Sequence, residues 1–103
     1  MNGETAFVTG ATEGIGRAIA FALGRAGWRV GVCARTPAAV DALVASLRDE
    51  GIEAAGHPAD VGNERDVPLA VRHVTDALGP IDVLVNNAGV AIFKPFADFT
   101  LEE

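Results

Sequence analysis

Three glycines near the amino terminus have the spacing of a backbone turn that can hold a phosphate group. Gly10, Gly14 and Gly16 follow a short apolar run and open a stretch of helical periodicity. Gly10 permits a tight turn, Gly14 lets a pyrophosphate approach the backbone because it lacks a Cβ, and Gly16 lets the helix pack closely on a sheet. The free N–H groups and the dipole at the helix start attract an anion, each dipole contact contributing about 0.3–1 kcal/mol. Glycines in this pattern also form purely structural turns, so the prediction depends on a strand before them and a helix after them.

Other phosphate-binding chemistries fit this turn less well. A nucleoside-triphosphate P-loop would continue with Lys and then Ser or Thr, whereas this chain continues with Arg17 and Ala18. A kinase-type transferase needs carboxylates for magnesium, and Glu13 is the one acidic residue of the turn. The residues therefore favour a dinucleotide over a nucleoside triphosphate.

The end of the second predicted strand indicates which dinucleotide would bind. Proteins that take the unphosphorylated cofactor usually place Asp or Glu there, on the ribose 2′-hydroxyl. This chain has Arg35 instead, and no acidic residue lies between Val30 and Ala39. One or two charge-assisted hydrogen bonds to a 2′-phosphate, at about 1.5–3 kcal/mol each, would favour NADP(H) over NAD(H) by roughly ten- to several-hundred-fold. The alternative is that Arg35 is a solvated surface residue that binds no cofactor.

Short apolar runs alternate with stretches of helical period along the chain. The runs predict strands over residues 5–9, 28–34, 52–59 and 81–85, with a helix in each interval. Thr36 and Asn63 are candidate N-caps, and residues 100–103 resemble a capping box that opens a further helix. The order β-α-β-α-β-α-β predicts a parallel sheet with helices packed on its faces.

Composition excludes several classes of protein. The 103 residues are 50% hydrophobic and 21% charged with a net charge of −6, which disfavours disorder and nucleic-acid binding. No apolar stretch reaches the ~18 residues of a membrane span, and residues 1–10 show no secretory signal. Cys33 is the one cysteine, which is consistent with a reducing cytoplasm and fits a small core residue better than a reactive thiol. We expect a cytoplasmic protein without a metal, because His57, His73 and Cys33 share no metal-ligand spacing.

Three motifs together resemble one known family. Residues 9–16 match the TGxxxGIG signature of short-chain dehydrogenases/reductases, residues 86–89 match the NNAG motif of that family, and Asp60-Val61 matches its acidic–apolar pair after strand three. The resemblance runs through essentially the whole chain. It implies an α/β fold, a Rossmann-type doubly wound parallel sheet with strand order 3-2-1-4 as far as the chain goes, and a nicotinamide cofactor.

The resemblance also assigns the cofactor-binding residues. The pyrophosphate turn comprises Gly10, Thr12, Glu13, Gly14, Ile15 and Gly16, and the 2′-phosphate ligand is Arg35. The adenine pocket comprises Asp60 and Val61. The contacts beside the ribose and nicotinamide are Asn87, Ala88 and Gly89. It gives Asn86 a structural role in fixing the central strands.

The family's catalytic Ser, its Tyr-x-x-x-Lys pair and a further Asn find no counterpart here, since the chain contains no Tyr. We therefore expect residues 1–103 to be the NADP-binding half-domain of a longer family form, inactive alone, with no catalytic residue of its own. The expected activity of the family form is hydride transfer between NADP(H) and a carbonyl or secondary alcohol, with 3-oxoacyl thioesters and polyketides as candidate substrates. That form would be a homo-oligomer.

Two alternatives remain open for the chain as written. The first is a non-catalytic nucleotide-binding fragment or one half of a split protein, and the second is an unstable truncation. Strand four would lie at an unpaired edge of the sheet, so we expect the isolated chain to aggregate, to oligomerise or to stay partly unfolded.

Overall fold

The computed structural model describes residues 4–12, 14–60 and 62–86, which form four strands and three helices. In chain order these are β1 (Thr5–Thr9), α1 (Gly14–Arg25), β2 (Arg29–Ala34), α2 (Pro37–Asp49), β3 (Ala54–Pro58), α3 (Asp66–Leu78) and β4 (Val83–Asn86). The alternation of strands and helices expected from the sequence is confirmed. None of the described helices is long and apolar enough to cross a membrane.

The strands form one parallel sheet in the order β3-β2-β1-β4, as the family resemblance implies. Thr9 at the end of β1 is in register with Cys33 on one side and with Asn86 on the other. Ala34 at the end of β2 is in register with Pro58 at the end of β3. All four strands therefore end at the same edge of the sheet, which is where ligands bind in open α/β folds.

Two apolar clusters cover the two faces of the sheet. Val8 and Val32 face α1 and α2, whereas Phe7 and Cys33 face α3, so successive strand residues alternate between the clusters. All five residues of β1 are buried, as expected of a strand covered on both faces. β1 is thus the rigid centre from which the glycine turn begins.

α3 packs so closely on the sheet that β2 needs a glycine beneath it. A Cβ built on Gly31 would lie 2.4 Å from Cγ1 of Val74, a distance that a branched side chain in a packed core cannot accommodate without a shift. The absence of a side chain at this position sets how near α3 lies to β2.

Of the two predicted helix caps that the structure describes, Thr36 is confirmed as the residue at the cap position of α2, whereas Asn63 is not the cap of α3. Asn63 does not cap α3: its Oδ1 accepts from the backbone N–H of Arg65 at 2.9 Å, and the helix begins at Asp66 because residues 62–65 form a turn in which this side-chain-to-backbone bond takes part. Thr36 does precede α2 in an extended conformation, but its side chain makes no capping hydrogen bond. Residues 36–38 are exposed, so solvent can reach the first N–H groups of that helix. The capping box predicted at residues 100–103 lies outside the described residues.

Candidate cofactor-binding site

Three of the predicted site residues follow three adjacent strands at the carboxyl edge of the sheet. Gly10 follows β1, Arg35 follows β2, and Asp60 lies two residues beyond β3. All three are exposed. The register of the strands therefore brings the glycine turn, the cationic side chain and the carboxylate to one edge, although they are separated by 25 residues or more in the sequence.

Two glycines of the turn adopt conformations that other residues rarely reach. Gly10 has φ 59° and Gly14 has φ 53°, both in the left-handed region. A Cβ on Gly14 would meet no heavy atom within 4 Å, so the turn is open on that side. Gly16 is buried in the first turn of α1. The requirement for glycine at positions 10 and 14 is thus conformational, and the space beside Gly14 is free for a ligand.

The turn presents the amino-terminal end of α1 to solvent. The first turn of this helix, residues 14–17, contains no acidic residue that would offset the positive end of the helix dipole. The backbone N–H of Ala11 donates to the carbonyl oxygen of Cys33 at 3.3 Å, which anchors the turn on β2. Thr12 is half-buried and Ile15 is 72% exposed, so an apolar side chain lies on the surface beside the turn. An anionic ligand that also carries an apolar group fits this surface.

Arg35 is an exposed cation at the end of β2. Its guanidinium makes no hydrogen bond or ion pair with any residue in the described part of the chain. Arg25, by contrast, makes a bidentate pair with Glu50, with nitrogen–oxygen distances of 2.8 and 2.9 Å. Arg35 is therefore available to an external anion.

The loop after β3 is held by two carboxylates. Asp60 accepts from the backbone N–H of Gly62 through Oδ1 at 2.9 Å, and its own backbone N–H donates to Oδ2 of Asp66 at 3.0 Å. The remaining oxygen of Asp60 carries no hydrogen bond to a described residue. In the sequence Asp66 lies three residues after the candidate cap Asn63, but its carboxylate accepts from the backbone N–H of Asp60 in the structure.

A side-chain bond joins the ends of the neighbouring strands β1 and β4. The hydroxyl of Thr9 donates to Oδ1 of Asn86 at 3.1 Å, across the β1–β4 pair. This contact agrees with the structural role that the resemblance implies for Asn86. Thr9, the first residue of the glycine motif, was not predicted to take part.

Cys33 is fully buried at the end of β2, on the α3 side of the sheet. Burial raises the pKa of its thiol to about 11, although a hydrogen bond from the backbone of Gly10 acts in the opposite direction. The thiol is therefore protonated at neutral pH. Its interpretation as a core residue and not a nucleophile is confirmed.

Five predicted site residues lie outside the described part of the chain. They are Glu13 of the glycine turn, Val61 of the adenine pocket, and Asn87, Ala88 and Gly89 of the NNAG motif.

Comparison with known proteins identifies relatives that are similar in sequence. Residues 4–103 match the family model described as short chain dehydrogenase. A putative ketoacyl reductase of Streptomyces coelicolor is 47% identical over 89 residues, which are 86% of this chain and 34% of that protein. The 5-keto-D-gluconate 5-reductase of Escherichia coli K12 is 37% identical over 103 residues, which are all of this chain and 41% of that protein.

A solved structure extends the likeness to three dimensions. An actinorhodin polyketide ketoreductase variant crystallised with NADPH superposes with a TM-score of 0.80 and 42% identity, over 99% of this chain and 40% of that one. The chain thus spans well under half of the length of these proteins. Its glycine turn, its strand order and its match to the family model over residues 4–103 establish that the chain belongs to the short-chain dehydrogenase family.

Proposed function

We propose that this chain binds NADP(H) at the carboxyl edge of its sheet, as the cofactor-binding part of a reductase that acts on a ketone or the corresponding secondary alcohol. The observation that carries the proposal is the position of Arg35. It stands unpaired with other described residues beyond β2, at the same edge as the open glycine turn. A carboxylate at that position would repel a 2′-phosphate, whereas a guanidinium can bind one in bidentate fashion.

The described residues fit a dinucleotide phosphate in several respects. The pyrophosphate would lie beside Gly14, where the turn is open, and against the amino-terminal end of α1. The remaining oxygen of Asp60 would accept from the adenine amino group. When bound, the nicotinamide supplies or accepts the hydride, while the chain binds and orients it. In our proposal, these contacts and the remaining predicted ones make residues 1–103 the NADP-binding half-domain. We further propose that the longer form found in the family is a homo-oligomer.

The relatives support a proposal for the substrate class. They are a putative ketoacyl reductase, a ketogluconate reductase and a polyketide ketoreductase, which share a ketone as the reacting group. We infer a ketone substrate here too, with 3-oxoacyl thioesters or polyketides as the first compounds to test.

The experiment that tests cofactor choice is an Arg35→Asp substitution. We expect NADPH affinity to fall by about ten- to several-hundred-fold, while NADH affinity changes little, because only NADPH carries the 2′-phosphate. Calorimetric titration of both cofactors measures this. Arg72→Asp is the matched control, since it makes the same charge change on an exposed part of α3. Equal weakening of both cofactors would refute the 2′-phosphate assignment.

A second candidate function is nucleotide binding without catalysis, which the absence of Tyr from the sequence favours. In a protein that joins these residues to a family-length remainder, NADPH binding without reduction of a 3-oxoacyl thioester would support it. Reduction that is lost together with NADPH binding in the Arg35→Asp variant would support the reductase.

A further inference from the structure

Two histidines that are far apart in the sequence meet on one face of the edge strand. His57 lies on β3 and His73 lies on α3, and their ring centroids are 5.2 Å apart with the ring planes tilted by 52°. The β3 side chain at position 57 is directed to the α3 face because Gly56, the preceding residue, faces α2. The packing of α3 on the sheet therefore fixes the two imidazoles near one another, independently of any ligand.

One of the two rings has its protonation pattern set by the backbone. Nδ1 of His57 lies 2.8 Å from the carbonyl oxygen of Pro58. A carbonyl can only accept, so Nδ1 carries the hydrogen in this contact, and the neutral form of the ring then has its lone pair on Nε2. Histidines that bind metals are commonly oriented by this kind of N–H to carbonyl bond.

The second ring is accessible. His73 is exposed, and its nitrogens make no hydrogen bond with any described residue. An exposed imidazole with no competing protein partner can turn a lone pair toward its neighbour at little cost.

The separation of the rings matches that required by a shared ion. A metal ~2.1 Å from one nitrogen of each ring would lie roughly 3.2 Å from each centroid, so tetrahedral coordination places the centroids about 5 Å apart. The observed 5.2 Å agrees with this value. We propose that His57 and His73 form a two-point binding site for a divalent transition-metal ion that prefers imidazole, such as Zn²⁺, Ni²⁺ or Cu²⁺.

The coordination set defines the kind of site. Within residues 4–12, 14–60 and 62–86, no third histidine, cysteine or carboxylate joins the pair, so water or an external ligand completes the coordination. Calcium and magnesium are excluded because they require several oxygen ligands. A bound ion would link β3 to α3 and so stabilise the folded chain by mass action. The site uses none of the residues that we assign to the cofactor.

The test is a titration of the untagged chain with Zn²⁺ and with Ni²⁺, followed by calorimetry. We expect one saturable site per chain. His73→Ala should weaken binding ~100-fold or more, because it converts two-point attachment into single-point attachment. His73 is exposed, so this variant should fold normally, which circular dichroism verifies. Arg72→Ala, on the neighbouring position of the same helix, is the control and should bind as the parent chain does.

A spectroscopic measurement tests the identity of the ligands. Electron paramagnetic resonance of bound Cu²⁺ should show coupling to two imidazole nitrogens in the parent chain and to one in His73→Ala. Unchanged affinity in His73→Ala would overturn the proposal, as would the absence of saturable binding below ~1 mM of either ion. Neither outcome would bear on NADPH binding, which is measured separately.

Discussion

Cys33 shows at the scale of a single residue how position removes reactivity. Its thiol is fully buried, and burial raises its pKa from 9.0 to about 11. The folded chain thus holds this proton to a higher pH than the unfolded chain does. The stability due to the neutral thiol is complete below pH 9.0 and is lost as the pH rises toward 11. We predict a decrease in the free energy of unfolding of at most about 2–3 kcal/mol over that interval.

Urea denaturation at pH 7.5, 10 and 11 would measure this loss, with Cys33→Ala as the control whose stability should depend less on pH. The chain suits the measurement because it contains no Tyr and one lysine, Lys94, so few other side chains titrate in this interval. If the parent chain and Cys33→Ala lose stability in parallel from pH 9 to 11, the assignment of the loss to Cys33 is wrong.

The residue types of the glycine turn could be predicted from the sequence, whereas the contact between two histidines could not. Left-handed backbone at Gly10 and Gly14 follows from residue type and local order, because only glycine tolerates it freely. The contact between His57 and His73 depends on where α3 lies across the sheet. The residues next to each histidine in the sequence do not indicate that position. For this reason spacing alone predicted no metal site.

At the scale of elements, Asp82 joins the starts of β1 and β4. The backbone N–H of Thr5 donates to Oδ2 of Asp82 at 2.8 Å, and the N–H of Asp82 donates to the carbonyl oxygen of Thr5 at 2.8 Å. Thr5 is fully buried, so its N–H would lack an acceptor in Asp82→Ala. We predict a loss of about 1–3 kcal/mol in the free energy of unfolding, measured by urea titration.

Asp82→Asn is the matched control for that prediction, because its amide oxygen can still accept from Thr5. It should retain most of the stability that Asp82→Ala loses. Equal stability of the parent chain and Asp82→Ala would show that water replaces the carboxylate and that the bond does not fix the two strands.

The boundaries of helices and strands could be predicted where apolar periodicity sets them. The predicted boundary was wrong where hydrogen bonds of polar side chains set it. β1 was predicted at residues 5–9 and is observed there, because each of its residues is buried. A cap at Asn63 would start α3 at Glu64, whereas the helix begins two residues later, at Asp66. The carboxylate of Asp60 accepts from the backbone N–H of Gly62, and that of Asp66 accepts from the backbone N–H of Asp60. The apolar periodicity of the sequence does not reveal such bonds between side chains and backbone.

At the scale of the whole molecule, the two outer strands of the described sheet differ in how they are protected. β3 ends in Pro58, which has no N–H to donate, and Nε of Arg48 donates to the carbonyl oxygen of Ala54 at 3.0 Å. Proline and charged side chains are devices that blunt sheet edges. β4 pairs with β1 alone among the described residues and exposes parts of Val83 and Leu84. The asymmetry implies that any strand addition occurs at β4.

We therefore predict that a polypeptide of these 103 residues self-associates through β4 and not through β3. Sedimentation velocity should show a mass that rises with concentration. Hydrogen–deuterium exchange should show amides of residues 83–86 becoming more protected over the same range, while those of residues 54–58 stay unchanged, because a new strand can add hydrogen bonds at β4 alone. A monomer at all concentrations would show that this edge is already satisfied, and protection that grows in β3 would locate the association at the edge that Arg48 and Pro58 were inferred to block.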